Sequence, residues 1–366
     1  MDSPLLTEVP TISPNWTSRL KCIVRSAMSV NEKPIRETKG FWRKLCIIPG
    51  RLVGKIAIVT GANTGIGKMT AAELARRGCH VIMACRNKER AESAKKWILD
   101  TYGVGNPDYL KTNLADPCLT SSLTAVTSDQ LQIEILDLAS LKSVREFATR
   151  IVQQHEYLNY LINNAGLAME EHCTTEDGYE QTIAVNHLGP FLLTELLVPL
   201  LRKGVPSRII MVSSTAHWYG ELRKPDLQTA PEEYGLVSAY AQSKLANLIH
   251  ARELAKRLSG SGVIPVSLHP GAVRTELFRD ARTIMSRMMR SLFLRFTITP
   301  WLGCQTTLYT VLTPNLTPGA YYDNCKETSP ASKALNDADG EWLWNKSCEL
   351  VGLTQEAVTD SKCEKN

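Results

Sequence analysis

The stretch from Gly54 to Gly67 constrains the fold more than any other part of the chain. Gly54 to Thr60 (GKIAIVT) is a short run rich in β-branched residues and reads as a buried strand. Gly61-Ala62-Asn63-Thr64-Gly65-Ile66-Gly67 follows at once, and a helical pattern opens at Ile66. A strand that passes through a glycine turn into a helix is the opening of a β–α–β unit. Glycines at 61, 65 and 67 let the backbone turn tightly and come close to a pyrophosphate, while the amides opening the helix present partial positive charge. Gly61, Asn63, Thr64, Gly65, Ile66 and Gly67 are therefore expected to cradle the phosphates of a dinucleotide.

The rest of the chain repeats the alternation. Apolar runs at His80–Cys85, Leu131–Leu136, Tyr157–Ile162, Arg208–Val212 and Val263–Leu268 read as strands. Between them Ile66–Arg77, Lys88–Thr101, Leu141–His155, Tyr179–Arg202 and Ser238–Leu258 read as helices. The fold class that follows is α/β, a single Rossmann-type doubly wound parallel sheet with helices on both faces. Residues 51–352 are expected to form this domain, long enough for a core without disulfides. Residues 1–50, broken by charges and prolines, read as a poorly ordered extension with no long apolar anchor or signal peptide, and 353–366 as a tail. Residues 106–130, rich in Ser, Thr, Asp and Pro, read as an inserted loop of poor order with no catalytic part.

The second strand ends where a dinucleotide fold meets the adenosine ribose, and an acid there would hold the 2′-hydroxyl of NAD. This chain has Cys85 and then Arg86, with Lys68 after the last glycine of the turn. A guanidinium grips a 2′-phosphate that a carboxylate would repel, so the expected cofactor is NADP(H). The competing reading makes Arg86 a solvated residue at a helix start.

Tyr240 and Lys244 stand one helical turn apart in AYAQSK, which puts a phenol and an ammonium on one face. Free tyrosine ionises near ~10, and a cation beside it is expected to draw that value towards neutral pH.

These pieces, in this order, resemble the short-chain dehydrogenase/reductase family over Leu52 to Gly352. They are TGANTGIG (60–67), the Asp137-Leu138 pair, Asn163-Asn164-Ala165-Gly166, Asn186, Val212-Ser213-Ser214, Tyr240 with Lys244, and His269-Pro270-Gly271. Runs such as NHLGPFLLT and SKLANLIHARELAKRL are similar to the retinol dehydrogenase-like subgroup. The resemblance implies hydride transfer between the nicotinamide and a carbonyl carbon, with a catalytic set of Asn186, Ser214, Tyr240 and Lys244. Tyr240 exchanges the proton, and Lys244 lowers its pKa and holds the ribose. Ser214 binds the substrate oxygen, with Ser213 competing for that role. Asn186 positions a water linked to Lys244.

The resemblance also implies cofactor contacts at Arg86, Asp137, Leu138, Asn164, Ala165, Gly166, Tyr240, Lys244, Pro270, Gly271, Val273 and Thr275. For Asp137 the competing reading is an N-cap of the helix beginning near Leu141. The substrate class implied is an apolar carbonyl or alcohol, retinaldehyde/retinol or a lipid aldehyde. A steroid or xenobiotic carbonyl reductase is the enzymatic alternative, and a non-catalytic dinucleotide-binding interaction protein is the alternative of another class.

Composition narrows partners. Ten cysteines lie scattered without CxxC or a Cys/His cluster, which argues for reduced thiols and against a metal site. The net charge of +5 carries no basic-aromatic interleaving, so nucleic acid is not expected. Between 281 and 301 arginines alternate with Met, Leu and Phe, a pattern for peripheral contact with an anionic bilayer or for a helix packed on the domain's own core. A location in the cytoplasm or on the cytosolic face of the endoplasmic reticulum is expected. Homodimerisation through helices is a further expectation, with no pairing surface legible. The apolar stretch Thr182–Leu201 carries Asn186, His187, Glu195 and two prolines, and reads as a buried core helix.

Overall fold

Ile56–Thr60 (β3) is the strand on which the fold is centred, with Ala57, Ile58 and Val59 fully buried. In the computed structural model, which describes residues 35–37, 44–110, 117–273 and 297–353, β3 pairs in parallel with His80–Cys85 (β4) on one side. On the other side it pairs in parallel with Tyr160–Asn163 (β6). Leu131–Ile135 (β5) continues beyond β4. Ser207–Val212 (β7), Val263–His269 (β8) and Tyr321–Asp323 (β9) continue in parallel beyond β6, and Lys326–Thr328 (β10) closes the far edge antiparallel. The strand order β10-β9-β8-β7-β6-β3-β4-β5 is doubly wound, as the sequence pattern predicts. Ile35–Glu37 (β1) and Lys44–Cys46 (β2) form a separate antiparallel pair.

Helices cover both faces of the sheet. Gly65–Ala75 (α1), Lys88–Tyr102 (α2) and Gln305–Leu312 enclose one core layer, through Met69, Leu74, Ala91, Ile98, Leu308 and Val311. Leu141–Gln154 (α3), Gly189–Lys203 (α4), Leu236–Arg257 (α5) and Asp337–Val351 (α6) enclose the other, through Phe147, Leu192, Leu197, Leu254 and Trp344. The stretch Gln181–Lys203 is long and apolar enough to cross a membrane by length and composition, and 83% of its apolar window is buried inside this fold. At the β5 edge, Lys95 Nζ donates to the Leu131 carbonyl at 2.6 Å and Arg150 Nη2 to the Ile135 carbonyl at 2.7 Å. These two cations line a cleft of 530 Å³ and occupy carbonyls that another strand would need.

Three expectations change. The helix read across Tyr179–Arg202 is broken: Gln181–Ile183 runs into a π-helical turn, Ala184–Leu188, before α4 begins. Pro190 supplies no N–H, and the Gly189 N–H reaches back five residues to the Ala184 carbonyl. Residues 117–130, expected to belong to a loop of poor order, are instead held in place. There Leu119, Leu123 and Val126 are buried, the Val126 N–H donates to the Tyr102 carbonyl at 2.8 Å, and the Thr124 N–H donates to the Arg76 carbonyl at 2.7 Å. Nor is 44–50 a loose end of the extension, since Leu45, Cys46 and Ile48 are buried and the Gly50 N–H donates to Ser122 Oγ at 3.0 Å.

Candidate active site

β3 lies between β4 and β6, so successive strands leave it in opposite directions and a crevice opens at the carboxyl ends of β3 and β6. The glycine turn follows β3 there. Gly61 and Gly65 hold φ of +67° and +54°, which favour glycine over any side chain. A Cβ at Gly67 would lie 2.4 Å from the Gly61 carbonyl oxygen and 2.5 Å from Asn164 Nδ2, so α1 packs against the turn with no room to spare. Thr64, the N-cap of α1, makes no side-chain cap hydrogen bond, and no acidic residue occupies the first turn. The opening amides of α1 thus fit an anionic pyrophosphate.

The loops beside this turn are tied to it. Thr60 Oγ1 accepts from the Asn164 and Ala165 amides, both at 2.9 Å, and Asn164 Nδ2 donates to the Thr60 carbonyl at 2.8 Å. Asn164 therefore spends its side chain on the scaffold. Pro270 and Gly271 are buried after β8, Gly271 at φ +98°. Val273 bridges to Ile298, and a Cβ on Gly303 would meet both Val273 and Ile66 side chains. The loop after β8 thereby reaches the glycine turn. Thr275 and residues 281–296 lie outside the described residues.

At the carboxyl end of β4, Cys85 is buried and its sulfur accepts from the Ala62 and Asn63 amides. Burial pushes this thiol up to about 12. Lys68 Nζ sits 3.9 Å above the centre of the Trp97 ring, and burial lowers its pKa. Arg86, by contrast, is exposed at the end of β4. Asp137 accepts from the Ala139 N–H at 3.0 Å, while Ser140 is the residue that caps α3. The N-cap reading of Asp137 is thus overturned, because its carboxylate is already used two residues on. Leu138 is buried, and a Cβ at Gly189 would meet its carbonyl at 2.5 Å.

The carboxyl end of β7 separates the two serines. Ser213 is buried and donates to the Lys244 carbonyl at 2.6 Å, whereas the Ser214 side chain hydrogen-bonds Tyr240. Tyr240 and Lys244 both lie on α5. Lys244 Nζ donates to the Val212 carbonyl at 3.0 Å and stands 5.5 Å from the centre of the Tyr240 ring. Asn186 sits in the π-helical turn; its Oδ1 accepts from the Leu167 N–H at 2.8 Å, and its Nδ2 donates to the Leu167 carbonyl and to Ser243 Oγ at 2.8 and 2.9 Å. A Cβ on Gly166 would lie 3.2 Å from Lys244 Nζ and 3.3 Å from Asn186 Oδ1, so this glycine keeps open the space between them.

One electrostatic expectation is corrected. Tyr240 is not drawn towards neutral pH. Burial pushes its phenol up to about 12, and the opposing influence is the Ser214 hydrogen bond. Burial also pushes the Lys244 ammonium down to about 8. Desolvation of two groups with no counter-charge among the described residues outweighs their proximity on the helix.

The short chain dehydrogenase family model matches residues 55–132 and 118–285. The chain is 41% identical over 321 residues to retinol dehydrogenase 12 of Bos taurus, covering 87% of this chain and 93% of that one. It is 41% identical to human retinol dehydrogenase 13, covering 86% and 90%. This chain belongs to the short-chain dehydrogenases. Among solved structures, an uncharacterized protein from Mycobacterium paratuberculosis matches it with a TM-score of 0.63 and 30% identity, over 83% of this chain and 96% of that one.

In this short-chain dehydrogenase, an oxidoreductase acting on CH–OH groups, three residues hold others in place in ways that the sequence reading does not assign. Thr60 fastens the Asn164 loop, Ser213 fastens Lys244 through its main chain, and Ser243 receives Asn186 and donates to the Tyr240 carbonyl at 2.7 Å. Only Ser213 carries a sequence signal, as the first of two serines at a strand end.

Proposed function

We propose that this short-chain dehydrogenase uses NADP(H) to interconvert an apolar carbonyl compound and its alcohol, with retinaldehyde/retinol or a lipid aldehyde as substrate class. The observation that carries the reading is the Ser214–Tyr240 hydrogen bond at the carboxyl end of β7, with the Lys244 ammonium buried below it. The nicotinamide, when bound, supplies a hydride to the carbonyl carbon or accepts one from the alcohol. Every proton movement falls to the chain. A phenol held near 12 is neutral at pH 7, so Tyr240 stands ready to donate to an oxygen on its way to becoming an alkoxide. Ser214 donates to the same oxygen as charge grows on it. Lys244 brings positive charge close to the phenol, and the gap that Gly166 leaves between Lys244 and Asn186 suits the relay water.

Gly61, Asn63, Thr64, Gly65, Ile66 and Gly67 would hold the pyrophosphate, Arg86 the 2′-phosphate and Asp137 the adenine, with Leu138 beside it. Asn164, Ala165 and Gly166 would border the ribose, and Pro270, Gly271, Val273 and Thr275 the nicotinamide. Arg86 supports NADP(H) because it is exposed where Cys85, in place of an acid, is committed to the glycine turn. The retinol dehydrogenases to which the chain is similar support the substrate class. Contact with an anionic bilayer through 281–301, a place on the cytosolic face of the endoplasmic reticulum and a homodimer belong to the same proposal.

The test is a panel of retinaldehyde, lipid aldehydes, steroids and xenobiotic ketones, each with NADPH and with NADH. Retinaldehyde or a lipid aldehyde with NADPH should turn over fastest. Equal turnover with NADH would remove the role of Arg86, and a preference for steroids would move the enzyme to the other carbonyl reductase reading.

A further inference from the structure

Ser214 heads the 3-10 turn Thr215–Tyr219, and a histidine fastens that turn from inside. His217 is fully buried, its Nδ1 lying 2.6 Å from the Ser214 carbonyl oxygen and its Nε2 accepting from the Ala331 N–H at 3.1 Å. A carbonyl only accepts and an amide N–H only donates, so the two partners fix one tautomer, with the proton on Nδ1 and the lone pair on Nε2. The ring is packed by Tyr321, 4.9 Å between centroids, and by Trp218 at 5.4 Å. Ala331 is remote in sequence, so the main chain of the serine is referenced to the C-terminal part of the fold as well as to its own strand.

We propose that His217 is a positioning residue for the carbonyl/alcohol reaction: a neutral imidazole of fixed tautomer that sets the main chain of Ser214 and thereby aims its hydroxyl at Tyr240. The inference rests on Ser214 and Tyr240 being the catalytic pair. The two hydroxyls arrive from separate elements, β7 and α5, so their meeting depends on whatever fixes the turn between them. Ser214 Oγ also accepts from the Ala216 N–H at 3.2 Å, and His269 Nδ1 accepts from the Thr215 N–H at 3.3 Å. His217 is the contact that joins this turn to Ala331. Its neutrality has a physical cause. Burial lowers its pKa, the Ser214 carbonyl opposes that, and Lys333, whose ammonium donates to the Gly220 carbonyl at 2.8 Å, adds to the lowering.

The experiment compares His217→Asn, His217→Gln and His217→Ala for kcat, NADPH dissociation constant and thermal midpoint. An asparagine amide can stand where Nδ1 stands and keep the bond to Ser214; the longer glutamine reaches the Nε2 position and does not. His217→Asn should stay within a few-fold of the wild-type kcat, while His217→Gln and His217→Ala lose about tenfold to a hundredfold, as small misplacements at a reacting centre do. NADPH binding should not change in any of them. Equal loss in all three variants, or loss that follows the melting point and weakens NADPH binding alike, would overturn the proposal. Ala331→Pro gives a check that keeps the histidine in the chain: φ of −56° there suits proline, the donor to Nε2 is removed, and the ring carbon that replaces the amide hydrogen pushes the imidazole away from Ala331. Its kcat should fall several-fold, and an unchanged kcat would count against the proposal. Ser214→Ala is measured in parallel. If it retains wild-type kcat, the catalytic pair itself is wrong, whatever the histidine does.

Discussion

Two buried polar constellations in this molecule meet opposite fates. On α1, Glu73 lies between Arg76 and Arg77, with both carboxylate oxygens 2.7 Å from a guanidinium nitrogen. Trp301 Nε1 donates to the same carboxylate at 3.2 Å, Arg76 Nη2 donates to the Tyr109 carbonyl at 3.1 Å, and the Arg76 guanidinium lies over the Tyr102 ring. Burial works to raise the Glu73 carboxyl, but Arg77 and Arg76 outweigh it and hold it below its ordinary value. On α5, Tyr240 and Lys244 are desolvated with no counter-charge among the described residues, and each is pushed towards its neutral form. Compensated charge is locked and serves as scaffold; the uncompensated pair at the carboxyl ends of the strands is the one to which the proposed function assigns proton exchange.

The sharpest way to break this contrast is to unpair the scaffold. Glu73→Ala leaves two arginines buried without their anion and should cost about 3–5 kcal/mol, lowering the thermal midpoint by on the order of 10 °C. The kcat of the protein that remains folded should be unchanged, as calorimetry alongside turnover would show. A variant of ordinary stability with reduced kcat would reverse the assignment of roles.

A smaller effect comes from pH. Because the Lys244 pKa is pushed down to about 8, its ammonium is lost as pH rises through that value. The kcat for reduction should therefore decline above about pH 8. Between about 8 and the ordinary 10.5 the unfolded chain binds this proton and the folded one does not, so the contribution of Lys244 to stability rises with pH. Activity and this stability contribution thus move in opposite directions across one window. A kcat profile flat to pH 10 would show that the ammonium is not needed.

The sheet was legible because buried parallel strands are nearly continuous apolar runs, and His80–Cys85 is read to the residue. The glycine turn was legible because positive φ and close packing leave few other residues for Gly61 and Gly67. The π-helical turn was not. Pro190 is visible in sequence, but the side-chain partners of Asn186, Leu167 and Ser243, come from a distant loop and another helix. Residues 117–130 misled through polar composition, since a few apolar side chains suffice to pin a segment whose main-chain donors find carbonyls at the C-cap of α1 and the last residue of α2. Helical spacing placed Lys244 beside Tyr240, yet it could not say that the ammonium turns to the Val212 carbonyl. Nor could spacing choose between Ser213 and Ser214, because the end of β7 decides which hydroxyl meets the Lys244 main chain and which meets the Tyr240 side chain.

The most direct measurement is a double-mutant cycle of Ser214→Ala and Tyr240→Phe, read as kcat for retinaldehyde with NADPH, with the NADPH dissociation constant followed in each protein. If the two hydroxyls act as one unit on one substrate oxygen, each single variant loses about 10²–10⁴-fold in kcat. The double variant then loses little more than the worse single one, and NADPH binding stays unchanged. Losses that multiply, or turnover that survives Tyr240→Phe undiminished, would contradict a shared proton-handling pair.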